Sequence, residues 1–226
     1  MVAAEPGRKG AVRVIFLGPP GAGKGTQAAR LAAHLGVPKI GTGDMLRTAI
    51  AKDTPLGRKA HPMMEQGNLV PDDLLVELVR ERTAEGDCAF GFVLDGFPRT
   101  VPQAQGLEAM PGGDPRGFVV FDFEVPRSVL MARLSGRRWC PSCQATFHLL
   151  NDPPRRAGVC DACGTGLVQR EDDHETVVAR RLAEYDARTF PLIEYYRSRT
   201  RVVVVDGNRP MDTVLHDLVA GVGVRP

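Results

Sequence analysis

Short runs of apolar residues, each ending at a polar or glycine-bearing turn, recur along the chain. The runs that fit buried strands are 12–17, 37–40, 90–95, 118–125 and 201–207. Segments with helical spacing of apolar residues follow several of them, among them 27–35, 128–134 and 211–219. Strands that alternate with helices in this way indicate a parallel sheet covered on both faces. We therefore predict an α/β fold with five parallel strands flanked by helices.

Residues between the second and third runs predict helices rather than strands. Their helical segments are 48–51, 56–66 and 72–82. Before them, Thr42 or Asp44 is expected to cap a helix that has Arg47 one turn in, and Asp72 or Asp73 is expected to cap the helix at 72–82. Pro62 lies inside the middle segment, where a proline should kink or restart the helix.

A glycine-rich stretch, GPPGAGKGT at 18–26, joins the first strand to the first helix. Glycines permit positive φ and close backbone approach, so successive N–H groups can surround a polyphosphate at the positive end of the helix. Lys24 would reach the outer phosphates, and Thr26 supplies the hydroxyl one residue later than in the usual pattern. The stretch therefore predicts a phosphate-binding loop, with a glycine turn that binds nothing as the alternative.

A second nucleotide signature follows the third strand. The strand ends at Asp95, whose carboxylate is expected to face Mg²⁺ or its waters, and the turn Gly96-Phe97-Pro98 presents Arg99. Upstream, a threonine and Arg47 on the first turn of a helix could face an anion, although a capped helix with a solvated arginine fits equally well.

Four of the five cysteines form two C-x-x-C pairs separated by 16 residues. The pairs are Cys140 with Cys143 and Cys160 with Cys163. Two such pairs predict a tetrahedral zinc site, and four protein ligands leave no position for water, so the ion should be structural. Disulfides are the alternative. Cys88 lies outside the pattern and is expected to be a buried small residue.

The composition of the chain limits the class of protein but does not identify a binding partner. The chain has 226 residues with 29 basic and 27 acidic side chains, a net charge of +2, which argues neither for nor against nucleic acid as a bulk partner. No apolar run approaches the length of a membrane span, and the first residues contain no signal-peptide core. A cytoplasmic location is expected, with residues 1–11 as a flexible leader.

Together, these motifs identify a family resemblance that extends from Gly18 almost to the C-terminus. The matching segments are GPPGAGKGT (18–26), TGDMLR (42–47), GNLVPDD (67–73), DGFPRT (95–100), ARLSGRR (132–138), the four cysteines and QREDD (169–173). In these the chain resembles adenylate kinase of the type with a long, zinc-bearing lid. Pro62 and the stretch His174-Glu175-Thr176 depart from the family pattern.

The resemblance implies a P-loop NTPase-like core with two insertions. The core would comprise 12–41, 72–136 and 174–226, with a helical NMP-binding insertion at 42–71 and a zinc-bearing lid at 137–173. The implied activity is reversible, Mg²⁺-dependent phosphoryl transfer from ATP to AMP that gives two ADP and serves adenine nucleotide homeostasis. A monomer is implied as well.

The resemblance also assigns residues to each nucleotide. For ATP it implies Gly21, Ala22, Gly23, Lys24, Gly25, Thr26, Arg133, Arg137 and Arg209, with Pro210 near the adenine. For AMP it implies Thr42, Arg47, Gly67, Asn68, Leu69, Val70, Gly96, Arg99, Gln103, Arg170 and Arg181. The implied catalytic set is Lys24, Asp95, Arg99, Arg137, Arg170 and Arg181, with Asp172 and Asp173 supporting the arginines or the phosphates.

The chemistry of the residues agrees with this reading. A phosphate monoester has a second pKa of about 6, so the acceptor needs no general base at neutral pH. Phosphoryl transfer needs positive charge held in line and the exclusion of water. Two alternatives stay open from the sequence: a zinc-ribbon NTPase that binds nucleic acid, and a kinase of another nucleoside monophosphate.

Overall fold

A computed structural model describes residues 11–223 of the chain. Residues 1–10 and 224–226 lie outside the described part, so the predicted leader at 1–11 falls there except for Ala11. The strands are β1 Val12–Leu17, β2 Lys39–Gly41, β3 Gly91–Asp95, β4 Phe118–Glu124, β5 Arg137–Trp139, β6 Thr146–His148 and β7 Val202–Asp206. The helices are α1 Lys24–Leu35, α2 Thr42–Ala51, α3 Pro55–Glu65, α4 Asp72–Thr83, α5 Val101–Glu108, α6 Arg127–Ser135, α7 Glu175–Glu184, α8 Pro191–Arg197 and α9 Met211–Gly223.

Five strands form a parallel sheet in the order β2-β3-β1-β4-β7. The predicted α/β class and the five parallel strands are therefore confirmed. The chain leaves β1 toward one edge of the sheet and later passes to β4 on its other side. Such a switch point opens a crevice at the carboxyl ends of the central strands, where ligands bind in this class of fold.

Apolar side chains of β1 alternate between the two faces of the sheet. Val14 and Phe16 pack in the cluster that includes α1, α6, α7 and α9, whereas Ile15 and Leu17 pack in the cluster that includes α4, α5 and α8. Because both faces are buried, the strand is apolar at nearly every position. Helices on each face thus fix the position of the strand ends.

A second, two-stranded sheet stands apart from the first. Strands β5 and β6 pair antiparallel, and Trp139 at the end of β5 exchanges backbone hydrogen bonds with Val168 at 2.8 and 2.9 Å. The connection between β5 and β6 carries Cys140 and Cys143, whereas Cys160 and Cys163 follow β6. None of the helices between residues 11 and 223 combines the length and apolar character that a bilayer crossing requires.

The predicted helix caps are wrong. The α2 helix begins at Thr42 after an extended Gly41, and the Thr42 hydroxyl donates instead to the Gly96 carbonyl at 2.7 Å. The α4 helix begins at Asp72 after Pro71, and the Asp72 carboxylate accepts a hydrogen bond from the side-chain amide of Gln103. In both places a tertiary partner takes the side chain that local sequence would assign to a cap.

Pro62 does not restart its helix, because α3 runs without a break from Pro55 to Glu65. Its position near the carboxyl end limits the damage to one turn, since only a few residues follow the missing N–H. The predicted 48–51 helix is the last part of the longer α2, which begins at Thr42.

Candidate active site

A cleft of about 790 Å³ opens at the carboxyl edge of the large sheet. Its walls come from the glycine loop, α2, the turn at 67–70, the end of β3, α6, β6 and α7. Among residues 11–223, nine basic and five acidic side chains line it. A cleft with this excess of positive charge is suited to polyanions.

The glycine loop forms one wall. Gly18, Gly21 and Gly23 have positive φ, and a Cβ at Gly18 would lie 2.8 Å from Phe123 of β4, so glycine is required there. The Lys24 ammonium donates to the carbonyls of Gly18 and Pro19 at 2.6 and 2.8 Å. Thus Lys24 is held over the loop by neutral acceptors, and no carboxylate between residues 11 and 223 lies within ion-pair distance of it.

Burial dominates the electrostatics of Lys24. It lowers the pKa of the ammonium to about 7, and repulsion from Arg99 and Arg181 acts in the same direction against attraction from Asp95. A buried cation without an ion-pair partner is unfavourable until an anion arrives. The loop is therefore prepared for a phosphate group.

Asp95 ends β3 and faces the cleft beside a lysine that the sequence did not single out. The Lys39 ammonium lies 2.7 Å from a carboxylate oxygen of Asp44 and 3.6 Å from one of Asp95. Arg47 pairs with the other oxygen of Asp44 at 2.6 Å. Burial would raise the pKa of Asp44, but Lys39 and Arg47 hold it at about 2. These contacts tie β2, α2 and the end of β3 together.

Arg99 is fixed by the turn that presents it. Its Nε donates to the Gly96 carbonyl at 2.8 Å, and Thr189 donates to the Arg99 carbonyl at 2.9 Å. Gly96 has φ of 73°, and a Cβ there would come within 2.8 Å of the guanidinium. Burial, then repulsion from Arg181, lowers the pKa of Arg99 to about 10. Like Lys24, Arg99 makes no carboxylate pair within the part of the chain that the structure describes.

Gln103 is predicted to bind a nucleotide, but it does not line the cleft. Its side chain is fully buried. The carbonyl oxygen accepts from the Arg99 N–H at 2.8 Å, and the amide nitrogen donates to Asp72 at 2.7 Å. Because an N–H can only donate and a carboxylate can only accept, these two neighbours fix the orientation of the amide.

Four charged residues form what we call the Asp173 cluster, namely Arg137, Asp172, Asp173 and Arg181. Asp173 is buried and accepts from both arginines, with Arg137 Nε at 2.7 Å and Arg181 at 3.0 Å. Arg181 also lies 3.1 Å from an Asp172 oxygen. Burial would lower the pKa of Arg137, yet the Asp173 carboxylate raises it above the usual value. The pKa of Arg181 stays lowered, chiefly by burial.

Arg170 and Arg47 meet across the ring of Trp139. Their guanidinium carbons lie 5.4 and 5.9 Å from the ring centroid. Burial and repulsion from Arg47 lower the pKa of Arg170 to about 9. The Nε atoms of both arginines are buried and have no hydrogen-bond partner among the described residues, so each has a donor left for an anion.

Arg133 and Arg209 lie on the wall formed by α6 and the start of α9. Arg133 donates to the Gly207 carbonyl at 2.9 Å, and Arg209 pairs with Asp217 at 2.6 Å. Burial lowers the pKa of Arg133. Arg209 is half exposed, so its charge is screened more than that of the buried arginines.

Most of the predicted site residues converge on this one cleft. Those on its wall are Gly21, Ala22, Gly23, Lys24, Gly25, Thr26, Thr42, Arg47, Gly67, Asn68, Leu69, Val70, Asp95, Gly96, Arg99, Arg133, Arg137, Arg170, Arg181 and Arg209. Sequence reasoning missed Lys39 and the β6 residues Thr146, Phe147 and His148, which also line it. An alternating pattern after the second cysteine could have indicated a strand there.

The four paired cysteines gather in the hairpin region. Sulfur atoms of Cys140 and Cys163 lie 3.4 Å apart and those of Cys143 and Cys160 3.5 Å apart, and all four lie within 4.8 Å of one another. A tetrahedron with Zn–S bonds of about 2.3 Å has edges of about 3.8 Å, whereas a disulfide requires about 2 Å. The arrangement fits one metal ion with four thiolate ligands. Cys88 is buried away from this cluster, as expected.

Comparison with known proteins agrees with the geometry. The family model described as adenylate kinase matches residues 16–201. The chain is 53% identical over 197 residues to an adenylate kinase of Trichlorobacter lovleyi, covering 87% of this chain and 92% of that one. It is 49% identical over 205 residues to one of Moorella thermoacetica, covering 90% and 94%. It is 48% identical over 213 residues to one of Syntrophobacter fumaroxidans, covering 94% and 100%.

Proposed function

The chain belongs to the adenylate kinase family and is an ATP:AMP phosphotransferase, and we propose that it works by holding two nucleotides in line in the cleft described above. One nucleotide would lie against the glycine loop and the other against the turn that carries Arg99. Their phosphates would meet between Lys24 and Arg99. The convergence on one cleft of partly buried cations that form no ion pair with the described residues supports this proposal most directly.

Charge is the main obstacle that the residues must overcome. Two nucleotides bring about six negative charges together, and the transition state spreads charge over the oxygens of the transferring group. The acceptor phosphate is already an anion near neutral pH, so no general base is needed. Cations that are fixed before the substrates bind lower the barrier without reorganisation. Lys24 and Arg99 fit this role, since backbone carbonyls position both side chains.

The ATP end is assigned to the glycine loop and its neighbours. Backbone N–H groups from Gly21 to Thr26 would receive the phosphates at the start of α1, where the helix dipole favours an anion. Arg133 and Arg209 would lie on the adenosine side, and Arg137 near the phosphates. Asp95 and Thr26 offer the oxygen ligands that suit Mg²⁺, which when bound neutralises phosphate charge.

The AMP end is assigned to α2, the turn at 67–70 and the start of α5. Thr42, Arg47 and Arg99 would receive the AMP phosphate. Gln103 would recognise the adenine edge once the residues that cover it move. With one bond already made by each end of its amide, one N–H and one lone pair remain, which matches the acceptor and donor of adenine.

Arginines on either side of the four cysteines are assigned to closure of the lid. Arg137 and Arg170 lie at the two ends of the proposed lid, 137–173, and Arg181 follows it on α7. A lid that brings these guanidinium groups into the cleft only when both substrates are bound would exclude water and prevent ATP hydrolysis. We assign 42–71 to the NMP-binding unit and 12–41, 72–136 and 174–226 to the core.

Zinc is proposed as the ion held by the four cysteines. The thiolates would hold together a segment too small to form its own apolar core. Four-thiolate zinc sites suit a reducing compartment, in keeping with a cytoplasmic monomer.

One assay tests the proposal against its nearest rivals. Phosphoryl transfer from ATP is measured with AMP, CMP, UMP and GMP as acceptors, and zinc is quantified on the same sample. We expect AMP to be the preferred acceptor, two ADP per turnover and one zinc per chain. Absence of AMP-dependent ADP formation would reject the function, whereas preference for another acceptor would reject only the adenine assignment. Salt-dependent retention on DNA is not expected.

A further inference from the structure

The two C-x-x-C turns have the same backbone hydrogen bonds. In each turn, the backbone carbonyl of the first cysteine accepts at 2.9 Å from the backbone N–H of the residue after the second cysteine. That residue is Gln144 in one turn and Gly164 in the other. The first cysteine in turn donates at 2.9 Å to the following residue, Ala145 or Thr165. Gln144 and Gly164 are therefore structural equivalents.

Both equivalents have left-handed backbone, with φ of 64° at Gln144 and 74° at Gly164. Glycine adopts this conformation freely, whereas a side chain makes it unfavourable. Within residues 11–223, Gln144 and Asp53 are the non-glycine residues with positive φ. Aspartate tolerates this region better than most residues, but glutamine is not among those enriched in it. Gln144 thus adopts a strained backbone where its counterpart is glycine.

The Gln144 side chain reaches an element far away in sequence. Its amide nitrogen donates to the Thr48 hydroxyl on α2 at 2.8 Å. Thr48 donates its own proton to the Asp44 carbonyl at 3.0 Å, which turns the oxygen lone pairs outward to accept the amide. The bond joins the cysteine-bearing hairpin to the helix that carries Arg47.

We propose that Gln144 is a positioning residue for phosphoryl transfer, which retains its strained backbone because its amide holds the hairpin against α2 when the cleft is closed. The Gln144–Thr48 bond brings the hairpin, with Trp139 at the end of β5, to the side of Arg47. Strain that persists at one position is consistent with a functional contact of this kind. The inference rests on the proposed function, because the cleft that it closes is the nucleotide site.

Three variants separate the backbone from the side chain. Gln144→Ala keeps the strain and removes the amide, Gln144→Gly removes both, and Thr48→Val removes the acceptor. We expect the KM for AMP to rise about 2- to 10-fold in all three, as for loss of one hydrogen bond. Gln144→Gly should melt about 2–4 °C above Gln144→Ala, because only the alanine variant keeps the strained backbone. We expect kcat to be unchanged or raised, since easier opening speeds product release.

Trp139 reports the contact without turnover. It is the single tryptophan of the chain and lies in the hairpin. Acrylamide should quench its fluorescence more strongly in the three variants than in the parent protein, with and without AMP plus a non-hydrolysable ATP analogue. Asp53→Gly is the matched control, because it relieves positive φ at an exposed position and should leave both KM and quenching unchanged. Zinc content is measured for every variant.

Several outcomes would overturn the inference. A KM for AMP and a quenching within twofold of the parent protein in Gln144→Ala would show that the amide does not position the hairpin. An effect in Gln144→Ala that is absent in Thr48→Val would show that this contact is not its cause. If the parent protein did not phosphorylate AMP, the proposed function would fail, while the quenching comparison would still test the contact.

Discussion

Two groups of cations meet in the cleft, and they are held in different ways. Lys24 and Arg99, at the edge of the sheet, are anchored by backbone carbonyls, and neither forms an ion pair with a carboxylate in the part of the chain that the structure describes. In the Asp173 cluster, Arg137 and Arg181 are anchored by buried carboxylates. Consequently no carboxylate of the described residues neutralises the sheet-edge groups before a ligand arrives, whereas those of the cluster are partly neutralised and depend on their ion pairs for position.

The largest effect should come from the sheet edge. We expect Lys24→Met to lower kcat/KM about 10³-fold, or about 4 kcal/mol, because it removes an unneutralised buried charge next to the phosphates. Melting temperature should stay close to that of the parent protein or rise, since no ion pair is lost. Lys52→Met, at an exposed position after α2, is the control. Near-normal turnover in Lys24→Met would show that the sheet-edge cations do not contribute more to catalysis than the Asp173 cluster does.

In the Asp173 cluster we expect a substitution to lower stability strongly and activity less. Asp173→Asn leaves Arg137 and Arg181 without their buried carboxylate, and such losses cost about 3–5 kcal/mol in stability. We therefore expect a drop of about 6–20 °C in melting temperature, with a smaller change in kcat/KM than in Lys24→Met. Asp186→Asn, which breaks the exposed pair with Arg127, is the control. Equal melting temperatures for the two variants would show that the cluster is not structural.

A smaller effect is expected from the site formed by the four paired cysteines. Cys143→Ser should lower zinc below one per chain and lower the melting temperature by a few degrees, on a scale of about 2–4 °C for each kcal/mol. Because neither sheet-edge cation depends on the hairpin, kcat should fall less than tenfold, which is less than about 1.4 kcal/mol. Cys88→Ser should retain zinc. A parent protein without zinc would contradict the assignment.

Sequence alone predicted the residues whose position depends on strand ends. The glycine loop, Asp95 and Arg99 follow apolar runs, and the carboxyl ends of parallel strands meet at one edge. Their convergence therefore needed no knowledge of side-chain partners. The four-cysteine spacing was equally informative, because two short turns suffice to form the cluster.

Side-chain partners could not be predicted in the same way. Lys39 reaches Asp95 because β2 pairs with β3 in the register that puts Gly41 opposite Asp95. Thr42 bonds to a carbonyl from another strand end rather than capping its helix. The Gln144–Thr48 bond spans 96 residues. Each contact is decided by tertiary distance, which local patterns do not encode.

The smallest expected effect is a pH-dependent proton uptake at Lys24, on the sheet edge. Burial lowers the pKa of Lys24 from 10.5 to about 7 in the folded, nucleotide-free protein. Between these values the unfolded chain binds more protons than the folded one, so the contribution of Lys24 to stability rises with pH and is lost as pH falls through about 7. A phosphate beside Lys24 should restore the charged form. At pH 8 we therefore expect ADP binding to take up most of one proton. Calorimetry in two buffers with different ionisation enthalpies measures this uptake, and Lys24→Met should abolish it. Equal uptake in both proteins would mean that the proton goes to another group, and that Lys24 is charged before the nucleotide arrives.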